Sequence, residues 1–150
     1  MRIALYQPEI AQNVGATIRA AACFSAGVDI IGPAGFPLGA RELRRVAMDY
    51  AALAAPTLHD GWTAFLTARA YAPGRLVLLT TKADRFLTEV KLAPDDVYIL
   101  GRESAGVPED VHAAADIRTK IALAPDARSL NVAVAGAVAL HEARRQCGWP

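Results

Sequence analysis

A chain of 150 residues is long enough for one domain built around one sizeable core. Hydrophobic residues make up 53% of it and aromatics only 7%, so the core must be aliphatic and alanine-rich, and disorder, which needs low hydrophobicity and high net charge, is excluded. A formal charge of +1 leaves no strongly basic global field, so any contact with nucleic acid must come from local patches.

The opening MRIALYQPEIAQ holds a short apolar run broken by polar residues and Pro8. It is not a secretory leader, and no apolar stretch reaches transmembrane length, so the expectation is a cytoplasmic protein with no membrane contact. Within it RIALY (2–6) reads as a buried strand. NVGATIRAAACFSAG (13–27) reads as a helix capped by Asn13 and ended at Gly27. VDIIGP (28–33) is a second strand. ELRRVAMDYAAL (42–53) predicts a helix with Leu43, Val46, Tyr50 and Leu53 on one face and Arg41, Arg44 and Arg45 away from it. DGWTAFLTARAY (60–71) predicts another helix, RLVLLT (75–80) a strand, ADRFLTEV (83–90) a short helix and DVYILG (96–101) a strand. VPEDVHAAA (107–115) predicts a helix with Pro108 near its first position. KIALA (120–124) predicts the last strand and RSLNVAVAGAVALHEARRQ (128–146) the last helix.

Alternating strands and helices, with strands apolar enough to be buried on both faces, predict a single α/β domain over 1–150. Its sheet is mostly parallel, with helices on both faces. Ligands of such sheets bind beyond the carboxyl ends of the strands, near a switch in strand order. The loops to inspect are therefore QPEIAQN, TTKAD, GRESAG and APDARS.

Several chemistries fail on spacing. GRESAG (101–106) nearly spells a hydrolase nucleophile elbow, but Ser104 stands one position too far from Gly101. The chain has no dinucleotide-binding glycine fingerprint and no phosphate-binding P-loop. Cys23 and Cys147 lack a CxxC partner and read as two reduced thiols, one of them buried. His59, His112 and His141 have no metal spacing, so no metal is expected.

Three segments remain. In NVGATIR (13–19), Gly15 strips the first turn of a side chain, and Arg19 lies on a helix otherwise small and apolar; alone, this reads as a capped start and a surface arginine. In LGRESAGVPEDV (100–111), Gly101 and Gly106 bracket Glu103, which fits a strand-to-helix connection or a loop facing a ligand equally well. In PDARSLNVAVAG (125–136), Ser129 or Asn131 can cap the helix. Capping does not explain why both crowd one entrance beside Arg128, nor why the residues from Val132 to Ala137 stay so small.

In order, NxGxxxR (13–19), GxExxG (101–106) and RSLN with its small helix (128–137) resemble the three motifs of the SPOUT superfamily of RNA methyltransferases. The match is closest to the small bacterial tRNA 2′-O-methyltransferases of the wobble nucleotide. It covers nearly the full chain and includes QPEIAQNVG, LRRVAMDY, LTTK and PDARSLN. The resemblance implies S-adenosylmethionine-dependent methylation of the wobble C or U ribose in the tRNA anticodon loop. It also implies a C-terminal trefoil knot and an obligate homodimer with the first and last helices in its interface. Cofactor contacts fall by resemblance on Leu79, Gly101, Ile121 and Ser129, with Leu79 and Ile121 packing on the adenine. Glu103, Gly106 and Asn131 are supporting motif positions. By the same resemblance Arg19 is expected to be the catalytic arginine, reaching the neighbouring subunit's site, with Asn13 expected to hold its loop. His141 stands where close relatives carry an aromatic residue.

A ribose hydroxyl is a poor nucleophile, so such an enzyme must align it and stabilise charge on its oxygen. A guanidinium donating hydrogen bonds suits that task better than one acting as a base, since it stays protonated near neutral pH. Phosphate contacts would draw on Arg41, Arg44, Arg45, Lys82, Arg85, Arg102, Arg118 and Arg128. The competing readings are a non-catalytic RNA- or nucleotide-binding protein on the same scaffold and a flavodoxin-like enzyme for a small metabolite.

Overall fold

The computed structural model describes residues 1–47 and 49–150, apart from the side chains of residues 40–42 and 44. Arg41 and Arg44, named above as phosphate contacts, thus lie outside the described side chains. In chain order the elements are β1 (Arg2–Tyr6), α1 (Ala11–Cys23), β2 (Gly27–Ile31), α2 (Ala40–Ala47), α3 (Tyr50–Ala54), β3 (Thr57–His59) and α4 (Trp62–Ala68). Then come β4 (Leu76–Leu79), a 3₁₀ turn (Leu87–Glu89), β5 (Val97–Leu100), α5 (Glu109–Ala114), β6 (Ile117–Thr119) and α6 (Val132–Cys147).

Among the described residues the strands form one six-stranded sheet in the order β3-β2-β1-β5-β4-β6, every pair parallel. Strand side chains alternate between faces, so both faces are apolar. Ile3, Leu5, Val28, Ile30, Val77, Tyr98 and Leu100 point to one core with residues of α1, α2, α3 and α6. Ala4, Tyr6, Ile31, Leu76, Leu78, Val97 and Ile99 point to the other, with α4 and α5. The order switches between β1 and β5: the chain first grows to one side of β1, then builds the rest on the other. A crevice belongs beyond the carboxyl ends at that switch.

Alpha-helical packing follows the sequence. Val14, Ile18 and Ala21 put a buried stripe on α1. Gly15 lets α2 come close, since a Cβ there would lie 2.3 Å from the Val46 carbonyl oxygen. On α6, Ala133, Gly136, Leu140 and Ala143 face inward, and a Cβ on Gly136 would meet Ile3 and Leu100 at 2.7 and 2.9 Å. The small residues of α6 therefore seat it directly on β1 and β5. Its far end clasps α1: the buried Arg144 guanidinium donates to the Phe24 and Ser25 carbonyls at 2.7 and 2.8 Å. Those carbonyls end a helix and have no intrahelical donor.

The structure corrects several predicted elements. KIALA is not a strand: the sixth strand is Ile117–Thr119, and Lys120 adds only an isolated bridge to Phe86. The three-residue β3 was not predicted, because Thr57 and Leu58 are exposed on a sheet edge and give no apolar alternation. The 42–53 helix is two helices, and Leu53, expected on the inner face, is 73% exposed. ADRFLTEV contributes only the 3₁₀ turn. Helix α1 ends at Cys23, with Ser25 rather than Gly27 in the left-handed conformation. Neither cysteine is fully buried, and both are free. Among the described residues no helix is long and apolar enough to cross a membrane.

Candidate functional site

A cavity of about 530 Å³ opens beyond the carboxyl ends of β4 and β5, within the range of about 300–1,000 Å³ common for small-molecule sites. Leu79, Gly101, Ile121 and Ser129 all line it, as do Asn13, Glu103, Gly106 and Asn131. Three loops singled out from the sequence, TTKAD, GRESAG and APDARS, thus converge on one hollow, and the β1–α1 loop closes its side through Ile10.

Hydrogen bonds, not packing alone, bring the distant segments together. Asn13 sits inside α1, not at its cap; Ile10 holds that position and offers no side-chain bond. The Asn13 amide nitrogen donates to a Glu103 carboxylate oxygen at 2.9 Å, and its amide oxygen accepts from Asn131 at 2.9 Å. The other Glu103 oxygen accepts the backbone N–H of Glu9 at 2.9 Å. Asn131 spends its own oxygen on the backbone N–H groups of Ala133 and Val134, so it caps α6. Ser129, expected to start that helix, lies three residues before it and two before its cap, and keeps only its place on the cavity wall.

A second link locks the same loops. The Glu9 carboxylate accepts from the Ser104 backbone N–H at 2.8 Å and from its hydroxyl at 2.7 Å. Those two bonds hold the Glu9 carboxyl below its ordinary pKa. Ser104, a near-miss for a hydrolase nucleophile, is thereby a loop fastener. Nothing in the sequence marked Glu9 beyond its place in QPEIAQN.

The glycines of GRESAG have separate reasons. Arg102 and Gly106 exchange backbone hydrogen bonds at 2.9 and 3.0 Å, with Gly106 at φ 68°, a conformation that favours glycine. A Cβ on Gly101 would stand 2.5 Å from the Gly106 carbonyl carbon. Only glycine lets this tight turn fold back against the cavity.

Electrostatically the cavity wall carries Lys82, Arg102 and Lys120 against the single carboxylate of Glu103. Three cations against one carboxylate leave the wall net cationic, and that carboxylate is already hydrogen-bonded by Asn13 and the Glu9 backbone. Lys120 lies over the exposed Phe86 ring, 5.1 Å from its centroid. The Arg102 guanidinium lies 5.8 Å from the Tyr6 ring centroid, and its buried Nε has no hydrogen-bond partner. Of the eight cations proposed from sequence, Arg102 and Lys82 line the cavity. Arg19 does not: it is exposed, over the Tyr50 ring at 5.0 Å. Among the described residues no group of three or more His, Cys, Asp or Glu side chains gathers as a metal site would.

Comparison with known proteins places nearly the whole chain in one family and fold. The profile of the SpoU rRNA methylase family matches residues 1–141. The tRNA (cytidine(34)-2′-O)-methyltransferase of Beijerinckia indica subsp. indica is 51% identical over 146 residues, 97% of this chain and 91% of that protein. A solved structure concerned with the 2-OH methylation of C/U34 on tRNA superposes with a TM-score of 0.86 at 38% identity, over 97% of this chain and 89% of that one. The AdoMet-bound rRNA methyltransferase from Sinorhizobium meliloti gives a TM-score of 0.85 at 25% identity, over 96% of this chain and 55% of that one.

Proposed function

The chain belongs to the SpoU rRNA methylase family, and from that premise we propose that it methylates the ribose 2′-hydroxyl of the wobble nucleotide, cytidine or uridine 34, in the tRNA anticodon loop. The observation that carries this reading is the meeting of Asn13, Glu103 and Asn131 around one cavity, beside a 51% identity to a wobble methyltransferase.

S-adenosylmethionine supplies the methyl group, already activated on a sulfonium. The residues present suit it. Leu79, Ile121 and Leu123 give an apolar wall for a purine, while Ser129 and the backbone around Gly101 offer polar atoms to its edge. Asn13, Glu103 and Asn131 act on this reading as positioning residues, since each spends its polar atoms on another segment of the wall.

Arg19 is the catalytic residue of this reading, acting in the cavity of a second copy. Support comes from its direction: it points out of its own cavity, on the helix that α6 accompanies. The exposed Val134, Val138 and His141 of α6 give the pair an apolar outer stripe for a homodimer. There the guanidinium donates hydrogen bonds to the attacking oxygen and stabilises its charge, while the proton leaves to another acceptor. A C-terminal trefoil knot belongs to the same reading. Its support is the 80–92 connection, bonded to Lys120 on one side and to Gln146 of α6 on the other.

The test is mass spectrometry of nucleosides from tRNA incubated with the protein and S-adenosylmethionine. A 2′-O-methyl group on nucleotide 34 is expected; unmodified tRNA under saturating donor would overturn the reading.

A further inference from the structure

Of the three cations described on the cavity wall, Arg102 is the one with a side-chain nitrogen buried without a partner. Arg102 follows β5, yet its guanidinium leans over Tyr6 at the end of β1, away from the Leu79 and Ile121 wall at β4 and beyond β6. Its Nε is buried without a partner, and it has no ion pair among the described residues. The nearby Glu9 carboxylate feels its charge but is occupied by Ser104. Leaving a charged N–H desolvated and unpaired is costly, and the cost is recovered when an oxyanion arrives.

Resting on the proposed wobble methylation, we propose that Arg102 binds the phosphodiester flanking the methylated ribose and so sets the target nucleotide against the donor. The Nε and one Nη of a guanidinium form a fork that matches two phosphate oxygens. Tyr6, itself buried against Trp62 at 6.1 Å, flanks the guanidinium at 5.8 Å, and a small turn of the side chain off that ring frees Nε to join an Nη in the fork. The apolar wall for a purine stands on the other side of Gly101, so the cation faces the side left for the acceptor. The alternative oxyanion is the carboxylate of the donor's amino-acid tail, and the experiment separates the two.

Arg102→Ala and Arg102→Lys are compared with the unaltered protein for tRNA affinity across a salt series and for S-adenosylmethionine affinity by calorimetry. For Arg102→Ala we expect tRNA binding to weaken by about tenfold or more and the salt slope to fall by about 1, with donor affinity unchanged. Arg102→Lys keeps the charge without the fork, so its salt slope stays while its kcat falls. A tRNA carrying a neutral methylphosphonate at either phosphate beside nucleotide 34 should weaken binding to the unaltered protein at one of them and not weaken Arg102→Ala further; a merely structural role would leave the two losses additive. Unchanged tRNA affinity overturns the inference, as does a loss confined to the donor, which would assign the fork to its carboxylate. If the unaltered protein leaves nucleotide 34 unmethylated, the underlying reading fails instead.

Discussion

Asn13 and Glu103 stand 90 residues apart in the chain and 2.9 Å apart in the fold. Every polar atom of that contact is spoken for, because Glu103 also accepts from Glu9 and Asn13 also accepts from Asn131. Asn13→Asp should therefore place a second carboxylate against the first and destabilise the protein by about 2–3 kcal/mol. Adding Glu103→Gln should restore most of the loss, since the new amide donates to the new carboxylate while its oxygen still accepts from Glu9. Denaturant midpoints of the two single variants and the double variant measure the coupling. Additive losses would refute it.

Asn131 and Ser129 share one entrance but should respond differently. Asn131→Ala removes the α6 cap and the bond to Asn13, costing about 1–2 kcal/mol. Ser129→Ala should leave the melting temperature in place and weaken S-adenosylmethionine binding, read by calorimetry. A drop in melting temperature for Ser129→Ala would return the capping role to it.

Two glycines separate close approach to backbone from close approach to side chains. Gly101→Ala drives a methyl to 2.5 Å from the Gly106 backbone, so the turn must open; stability and donor affinity should both fall. Gly136→Ala meets only the ends of Ile3 and Leu100, which can rotate aside, so its cost should stay at about 1–3 kcal/mol with donor affinity intact. Thermal melts with and without donor distinguish the pair.

Glu142 gives a pH-dependent term. Its carboxylate accepts from Arg145 and Gln146, and Arg145 first among them pulls its pKa down to about 2. A depressed carboxyl stabilises the fold above its ordinary value of 4.5 and loses that contribution as pH falls toward about 2. Glu142→Gln should lower stability at neutral pH by about 1 kcal/mol, a figure reduced for the solvent around Arg145. Its stability should vary less between pH 4.5 and 2 than that of the unaltered protein. Acid titration followed by circular dichroism reads the difference.

Arg19→Ala should lower kcat by a factor of about 100 or more while donor affinity holds, as expected for a group acting only on the developing charge. Mixing Arg19→Ala with a variant defective in donor binding should restore part of the activity if the arginine serves the neighbouring copy. Methyl transfer by the mixture is the measurement.

Much of this was legible in the residues, because strands buried on both faces write themselves as short aliphatic runs: β1, β4 and β5 lie within predicted spans, and β2 starts one residue before its span, at Gly27. KIALA misled for a physical reason. Its alternation is real, but Ile121 and Leu123 line the cavity, so the apolar face borders that hollow and not a sheet. Asn13 misled because an asparagine before an apolar run has the chemistry of a cap, and only the fold brings Glu103 within its reach. Ser129 was placed correctly on the cavity wall and wrongly at the helix start. Arg102 stood in a list of eight cations with nothing to distinguish it, since an unpaired nitrogen is a property of three dimensions.

The asparagine contact joins the starts of α1 and α6, while Arg144 joins their ends, so the two helices run side by side in the same direction. Their positive poles then sit together at the mouth of the cavity and their negative poles together at the opposite end, where Arg144 offsets them. Those two helix starts add their positive poles to the side chains of Lys82, Arg102 and Lys120 on the cavity wall, so a chain of nearly neutral net charge still gathers positive charge at one end.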